Sequence, residues 1–313
     1  MDQDIFSEKN ILPMLIAEDQ APFDDDNFLF ELKFDGIRAL AYLDEKGTEL
    51  RNKRNKNVTS IYPELNEINR QAKKRCILDG EILILNEGRP DFFEIQRRSL
   101  MSNPFKIELA SKKLPACFTT FDILYLDENN VTNLPLLERK QLLFENVDEN
   151  GIIALSRHIE RDGIAFFELA KQQSLEGIVA KRKQSKYYFG KRTKDWIKMK
   201  ALLDDDFVIC GYYQKAENVT SIILGQYNNG TIKYQSHVVL GVSGEDFKKI
   251  SAAPRTTKDL YNDFPDYEGA VWIEPRMVCT VKFMERTPGG GLRQPVFKGL
   301  RTDKMPRECV EKQ

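Results

Sequence analysis

ELKFDGIR, Glu31 to Arg38, decides the reading of this chain. An apolar strand delivers Lys33 and then turns at Asp35-Gly36, where glycine permits a close backbone approach. A lysine at the end of a buried strand, beside such a turn, is held in place to act. Read alone, the same pattern also describes a strand-terminal lysine before an ordinary turn.

Four stretches further on bear on that choice. LDGEILIL (Leu78 to Leu85) sets Glu81 in an otherwise apolar strand, where a carboxylate is costly unless it is paired or binds something. TFDIL (Thr120 to Leu124) puts Phe121 and Asp122 at the head of another buried strand. LEGIVAKR (Leu175 to Arg182) places Glu176 and Lys181 at the two ends of a short strand. In WIKMK (Trp196 to Lys200) the period of two puts Trp196, Lys198 and Lys200 on one face and Ile197 and Met199 on the other. Two lysines on one strand face repel unless an anion lies between them. An anionic ligand is the simplest account.

The rest of the chain sets the bounds. Its 313 residues suggest about two domains; 41% are hydrophobic and 30% charged, which fits packed cores under a polar surface. No apolar run approaches the ~18 residues of a membrane span. The acidic start MDQDIFSEKN lacks the pattern of a signal peptide. Five scattered cysteines without a CxxC pair argue against zinc and disulfides; a cytoplasmic protein is expected. The net charge of −1 carries no general nucleic-acid signal. Its distribution does, because Lys181, Arg182, Lys183, Lys186, Lys191, Arg192, Lys194, Lys198 and Lys200 face a single acid, Asp195. A second basic cluster, RNKRNK, runs from Arg51 to Lys56. Such stripes fit a polyanion bound at one face.

Strand-like runs at Phe28 to Lys33, Ala39 to Leu43, Cys76 to Leu85, Cys117 to Leu126, Gly177 to Lys181 and Trp196 to Met199 alternate with helical periodicity. The helical stretches are Pro63 to Lys74, Asp91 to Leu100, Leu137 to Asn146 and Gly163 to Gln173. The strand spacing is too irregular for a βαβ series, so an antiparallel α+β domain is expected. After the break ALLDDD (Ala201 to Asp206) the strands are short, with Asn228-Asn229-Gly230 as a hairpin turn. About 110 residues of this texture fit a small β-barrel of the OB-fold type. The expected domains are residues 1–203 and 204–313.

Taken in order, these stretches resemble the motifs of covalent nucleotidyltransferases, and the set resembles ATP-dependent DNA ligases. KxDGxR is similar to Lys33 to Arg38, DGE to Asp79 to Glu81, FDxL to Phe121 to Leu124, EGxVxK to Glu176 to Lys181, and WxKxK to Trp196 to Lys200. A C-terminal RxPxFxxxRxDK is similar to RQPVFKGLRTDK, Arg293 to Lys304. The wording around the motifs looks most like the end-joining type, the ligase module of bacterial ligase D. One departure lies at KRNK, where the family reads SRNG and Lys56 replaces glycine. The phosphate-contacting arginine maps onto Arg54, with Arg51 as the alternative.

The resemblance implies an α+β, ATP-grasp-like nucleotidyltransferase domain followed by an OB-fold domain. It implies that Lys33 takes AMP from ATP and passes it to a DNA 5′-phosphate. An amine attacks only when neutral, roughly one lysine in a thousand near pH 7.4, and neighbouring cations such as Lys198 and Lys200 favour that form. Glu176 would hold magnesium or manganese, and Glu81 would contact the ATP ribose or the metal. Glu31, Arg38, Arg54, Phe121, Lys198, Lys200, Arg293, Arg301 and Lys304 would contact ATP, with Glu31 beside the base and Phe121 stacked on it. The C-terminal motif would orient the departing pyrophosphate, then swing away. Lys181, Arg182, Lys183, Lys186, Lys191, Arg192 and Lys194 would bind DNA. The implied partners are nicked or broken duplex DNA, with Ku and separate polymerase or phosphoesterase proteins. A monomer near the bacterial nucleoid is expected, without a membrane. RNA ligase or capping guanylyltransferase chemistry is the rival within enzymes. A non-catalytic DNA-binding module is the rival outside them.

Overall fold

The computed structural model describes residues 4–215, 219–261, 263–287 and 289–311; Met1 to Gln3 of the acidic start lie outside them. The chain divides into two compact units, Met1–Ala201 and Leu202–Gln313. Leu203 to Asp206, at the expected junction, opens the 13-residue strand Leu203–Lys215 of the second unit instead of linking the two.

The first unit holds two sheets. One runs Leu15–Asp19, Arg192–Lys200, Gly177–Arg182, Asp25–Leu32, His158–Arg161, antiparallel except for its first pair. The other runs Gly47–Asn52, Ile37–Asp44, Cys76–Asn86, Ala116–Leu126, Asn129–Asn130, with Ile153–Leu155 added in parallel to Ala116–Leu126. The chain leaves the first sheet at Leu32 and enters the second at Ile37, so Lys33 and Arg38 flank the crossing. Gly36 is required there: a Cβ would sit 2.2 Å from the Ile82 carbonyl oxygen and force the crossing away from the strand Cys76–Asn86.

Each sheet is buried on both faces, which is why its strands read as nearly continuous apolar runs. Ile178, Ala180, Ile197 and Met199 form the outer core of the first sheet with Phe28, Phe30 and Phe167. Leu78, Ile82, Phe118, Ile123 and Leu143 fill the outer core of the second. Between the sheets lie Leu40, Tyr42, Phe121, Tyr125, Tyr187 and Trp196.

The helix expected over Pro63 to Lys74 is absent. The chain makes short 3-10 turns there, Pro63–Leu65 and Ile68–Gln71. Leu65 and Ile68 are buried three residues apart, the repeat of a 3-10 turn. The Asn69 N–H donates to Thr48 Oγ1 and its side chain to the Asp44 carbonyl, bonds that replace the helical ones. A helix that the periodicity does not reveal, Pro104–Lys113, starts on an Asn103 cap with proline in its first turn.

The second unit is a five-stranded barrel ordered Thr231–Val238, Val219–Asn228, Leu203–Lys215, Val271–Phe283, Val296–Arg301. A parallel bridge between Leu240 and Val296 joins its ends. Phe207, Ile222, Leu224, Val281 and Phe297 fill the interior with Ile250 of the helix Gly244–Ser251. Asn229 and Gly230 both have positive φ, as a two-residue hairpin turn requires.

Candidate active site

Three adjacent strands of the first sheet bring Lys33, Glu176 and Lys200 to one end. The Lys33 N–H donates to the Gly177 carbonyl, and its Nζ lies 2.5 Å from Glu176 Oε2. Lys200 stands opposite Gly177 in the antiparallel register. Burial holds the Glu176 carboxyl above its ordinary range even though Lys33 pulls it down. Burial also lowers the Lys200 ammonium; Glu176 opposes that, while Lys33 and Lys198 add to it by like-charge repulsion. Lys198 shares the face of Lys200, as the alternation requires, and stands 3.8 Å from Asp19.

The second sheet supplies the facing wall. Its register sets Arg38 opposite Glu81 and Leu40 opposite Asp79. Asp79 is fully buried, accepts from Arg38 Nε and Nη2 at 3.0 and 2.6 Å, and accepts from the Tyr187 hydroxyl at 2.7 Å. A bidentate pair of this kind fixes the guanidinium plane. Burial pushes the Glu81 carboxyl up to about 8; Arg38 and Lys33 pull it down, Asp79 and Glu176 add to the rise.

Aromatic rings close the floor between the walls. Phe121 meets Trp196 edge-on at 6.0 Å, and Lys181 Nζ lies 4.2 Å from both ring centroids. Phe121 is 8% exposed and its ring also faces Arg38, so in this structure cations occupy the surroundings where a base was expected to stack. Glu31 is buried on the same side. It accepts from Ser156 Oγ at 2.7 Å and is ion-paired with Lys181 at 3.2 Å and with Lys140 at 2.7 Å.

Lys181 therefore cannot be a DNA-contacting residue. It is 3% exposed and belongs to the floor of the cleft, because strand alternation turns it inward while Arg182 turns out. The remaining basic positions are on the surface. Arg182 pairs with Asp195 at 3.6 Å, Lys183 with Glu160, Lys194 with Glu18 at 2.9 Å, and Arg192 donates to the Ile16 carbonyl. Lys186 and Lys191 are exposed and make no ion pair among the described residues.

Arg54 projects from the turn after Gly47–Asn52 and is exposed, whereas Arg51 is engaged by Glu49 and Asn55. In the second unit Arg293 is buried in the barrel, with Nη1 3.0 Å from Glu285. Arg301 is held bidentately by Asp303 and reaches Asp206 at 3.4 Å; Lys304 bonds Asp206 at 2.7 Å. The last aspartate of the acidic triplet is thus the anchor of two C-terminal cations.

Among the described residues, no three His, Cys, Asp or Glu side chains converge on a metal position. Glu176 adds to the rise of the Glu81 carboxyl, a penalty that a divalent cation between the two would relieve. Two carboxylates, with substrate phosphates and water completing the shell, are the donor set magnesium uses. The residues fit that ion.

Several partners in this site carry no motif-level signal. Arg139, which binds the buried Asp122 of the strand Ala116–Leu126 through two bonds at 2.8 Å, and Lys140 behind Glu31 lie on the helix Leu136–Asn146, whose charged run looks like a solvent face.

Together these two units, a nucleotidyltransferase domain with a lysine–glutamate pair at its cleft and an OB-fold barrel, define the catalytic core of a covalent nucleotidyltransferase. Residues 13–200 match the ATP dependent DNA ligase domain and residues 215–304 the ATP dependent DNA ligase C terminal region. The chain belongs to the ATP-dependent DNA ligase family. It is 30% identical over 322 aligned positions to the multifunctional non-homologous end joining DNA repair protein LigD of Mycobacterium tuberculosis, covering 99% of this chain and 41% of that protein. It is also 30% identical to the SPbeta prophage-derived DNA ligase-like protein LigB of Bacillus subtilis, covering 93% of this chain and 99% of the relative. A solved structure of mycobacterial DNA ligase D complexed with ATP and MES aligns with a TM-score of 0.57 at 27% identity, covering 97% of this chain and 99% of the other. The chain thus spans less than half the length of the LigD proteins it matches. No helix among its described residues is long and apolar enough to cross a membrane.

Proposed function

We propose that this chain seals 5′-phosphate/3′-hydroxyl breaks in duplex DNA through a lysyl-AMP and a DNA-adenylate, and that it serves end joining. Lys33 Nζ attacks the α-phosphorus of ATP: an N–P bond forms, the bridging P–O bond breaks, and pyrophosphate leaves with the electron pair. The DNA 5′-phosphate then displaces Lys33 from AMP. Finally the 3′-hydroxyl attacks that phosphate and expels AMP.

The observation that carries this reading is the Lys33–Glu176 pair with Lys200 across from it. Glu176 positions the amine, and Lys198 and Lys200 supply positive charge where the phosphates must lie. Arg38, fixed by Asp79, and Arg54 engage ribose and phosphate. Phe121 forms the aromatic wall of the base site and Glu31 its polar end. Glu81 and Glu176 would hold magnesium, which when bound neutralises charge on the phosphate oxygens. Arg293, Arg301 and Lys304 serve the nucleotide step, and the outward residues Arg182, Lys183, Lys186, Lys191, Arg192 and Lys194 meet DNA phosphates.

The test is incubation with α-labelled ATP or GTP, followed by addition of nicked duplex. Label from ATP at Lys33, discharged by sealing, is the expected result. Label from GTP would favour capping chemistry, and no label would leave a DNA-binding module. The end-joining assignment, with Ku and a separate polymerase as partners, draws on the LigD relatives. It expects purified Ku to stimulate joining of double-strand ends more than sealing of nicks.

A further inference from the structure

Behind Glu31 lies a lysine that the reaction above does not use. Lys140 Nζ is 2.7 Å from Glu31 Oε1, and both side chains are 2% exposed. The contact is off-axis for a hydrogen bond, so it acts mainly as charge on charge. A lysine this buried gives up its hydration for one partner. Its position is over-determined. Arg139, the preceding residue, binds Asp122 of the second sheet through Nε and Nη2, and also the Leu134 and Ser185 carbonyls. The helix Leu136–Asn146 is thereby pinned to one sheet while Lys140 reaches the other.

The consequence concerns the charge of Glu31. Burial alone would raise its carboxyl, but Lys140 first and then Lys181 outweigh burial and hold it below the ordinary range. Lys181 is the less secure of the two, because it stands farther away and is shared with the rings of Phe121 and Trp196. Burial moreover brings its own ammonium down to about 8. An ionised carboxylate only accepts hydrogen bonds, whereas a protonated one also donates. Adenine presents a donor amine at its 6-position, and guanine presents an acceptor carbonyl there. We propose that Lys140 is a specificity-determining positioning residue that keeps Glu31 a pure acceptor and so selects adenine over guanine in the nucleotide step. This rests on the reading of Glu31 as the polar end of the base site. Lys140 itself touches no nucleotide.

The test compares covalent lysyl-nucleotide formation with ATP, GTP and purine riboside triphosphate, which lacks the 6-amino group. Wild type, Lys140→Met, Lys140→Gln and Glu31→Gln are measured with each. For Lys140→Met the expected result is a tenfold or greater narrowing of the ATP/GTP and ATP/purine ratios of kcat/KM. The loss should fall on KM for ATP, with little change on purine riboside triphosphate. Equal slowing on all three triphosphates would mean that Lys140 only staples the fold, and would overturn the proposal. Lys140→Gln, which keeps a donor but no charge, makes the same comparison if Lys140→Met does not fold. If Glu31→Gln narrows the ratios and neither Lys140 variant does, the Glu31 reading stands and Lys140 falls. If Glu31→Gln leaves them unchanged, Glu31 is not at the base and both fall.

Discussion

Lys33 Nζ and Glu176 Oε2 lie 2.5 Å apart, the lysine side chain 21% exposed and the carboxylate 4%. The amine therefore opens to the cleft while its partner stands behind it. Replacing Lys33 by Ala is expected to abolish covalent protein–AMP and the sealing of ordinary nicks, because the adenylate has no other group to sit on. Sealing of a nick already carrying AMP should stay within about tenfold of wild type, since that step needs no lysine adduct. Gel detection of protein labelled from α-labelled ATP decides it. Substantial labelling of the variant would remove Lys33 as the nucleophile.

Glu81 carries a cost that can be read as stability. Its carboxyl titrates near 4.5 in the unfolded chain and near 8 in the folded one, chiefly through burial. Between those pH values the unfolded state is ionised and the native state keeps a proton. Native stability therefore falls as pH rises through that window and levels off above it. Glu81→Gln removes the titration. Relative to wild type it should gain nothing at pH 4 and on the order of 2 kcal/mol at pH 8, allowing for the partial solvent contact of the side chain. Urea unfolding at the two pH values measures the gain. A pH-independent difference would refute the assignment.

What the sequence made legible follows from periodicity. The strands Cys76–Asn86 and Ala116–Leu126 are buried on both faces, and their nearly continuous apolar runs announce it. Trp196, Lys198 and Lys200 share a face because a strand repeats every two residues, and the structure keeps that arrangement. Pairings between distant segments are different, since nothing local encodes them. Asp79 clamps Arg38 across two strands, and Lys140 reaches Glu31 from a helix pinned to the other sheet. Lys181 is the instructive case. Its place among basic neighbours groups it with the DNA-binding stripe, yet the same period of two that sorts WIKMK turns it inward, against Trp196.

The exposed basic segment makes a separate prediction about salt. Lys186 and Lys191 have no competing carboxylate among the described residues, so their charge is available to DNA phosphates. Affinity for a nicked duplex should fall log-linearly with salt, with a slope of about −0.9 per phosphate neutralised. Replacing both lysines by Ala should make the slope shallower by about 2, whereas Lys181→Met should leave it unchanged. Fluorescence anisotropy between 50 and 200 mM salt, roughly the range where such slopes are steep, reads this directly. An unchanged slope in the double variant would place the DNA footprint elsewhere.

Asp206 makes the last prediction. Burial would raise its carboxyl, yet Lys304, Thr280 and Arg301 together hold it below the ordinary carboxylate range, so it is a firm anion within the barrel unit. Arg301 is further tied to Asp303 through Nε and Nη2, both at 2.7 Å. Arg293, Arg301 and Lys304 are thus each paired with a carboxylate of their own unit. To stabilise departing pyrophosphate they must exchange those carboxylates for phosphate oxygens, a swap that matters only in the first chemical step. Arg301→Ala should therefore slow lysine adenylation by ATP about a hundredfold while slowing the sealing of pre-adenylated nicks by less than about threefold. Asp206→Asn removes a competitor, not a catalyst, and should leave adenylation at or above the wild-type rate. A pair of single-turnover rates on each variant gives the answer. Equal losses in both steps for Arg301→Ala would mean that the motif supports folding or DNA binding. A loss of adenylation in Asp206→Asn matching that of Arg301→Ala would make the ion pair itself, and not its release, the functional state.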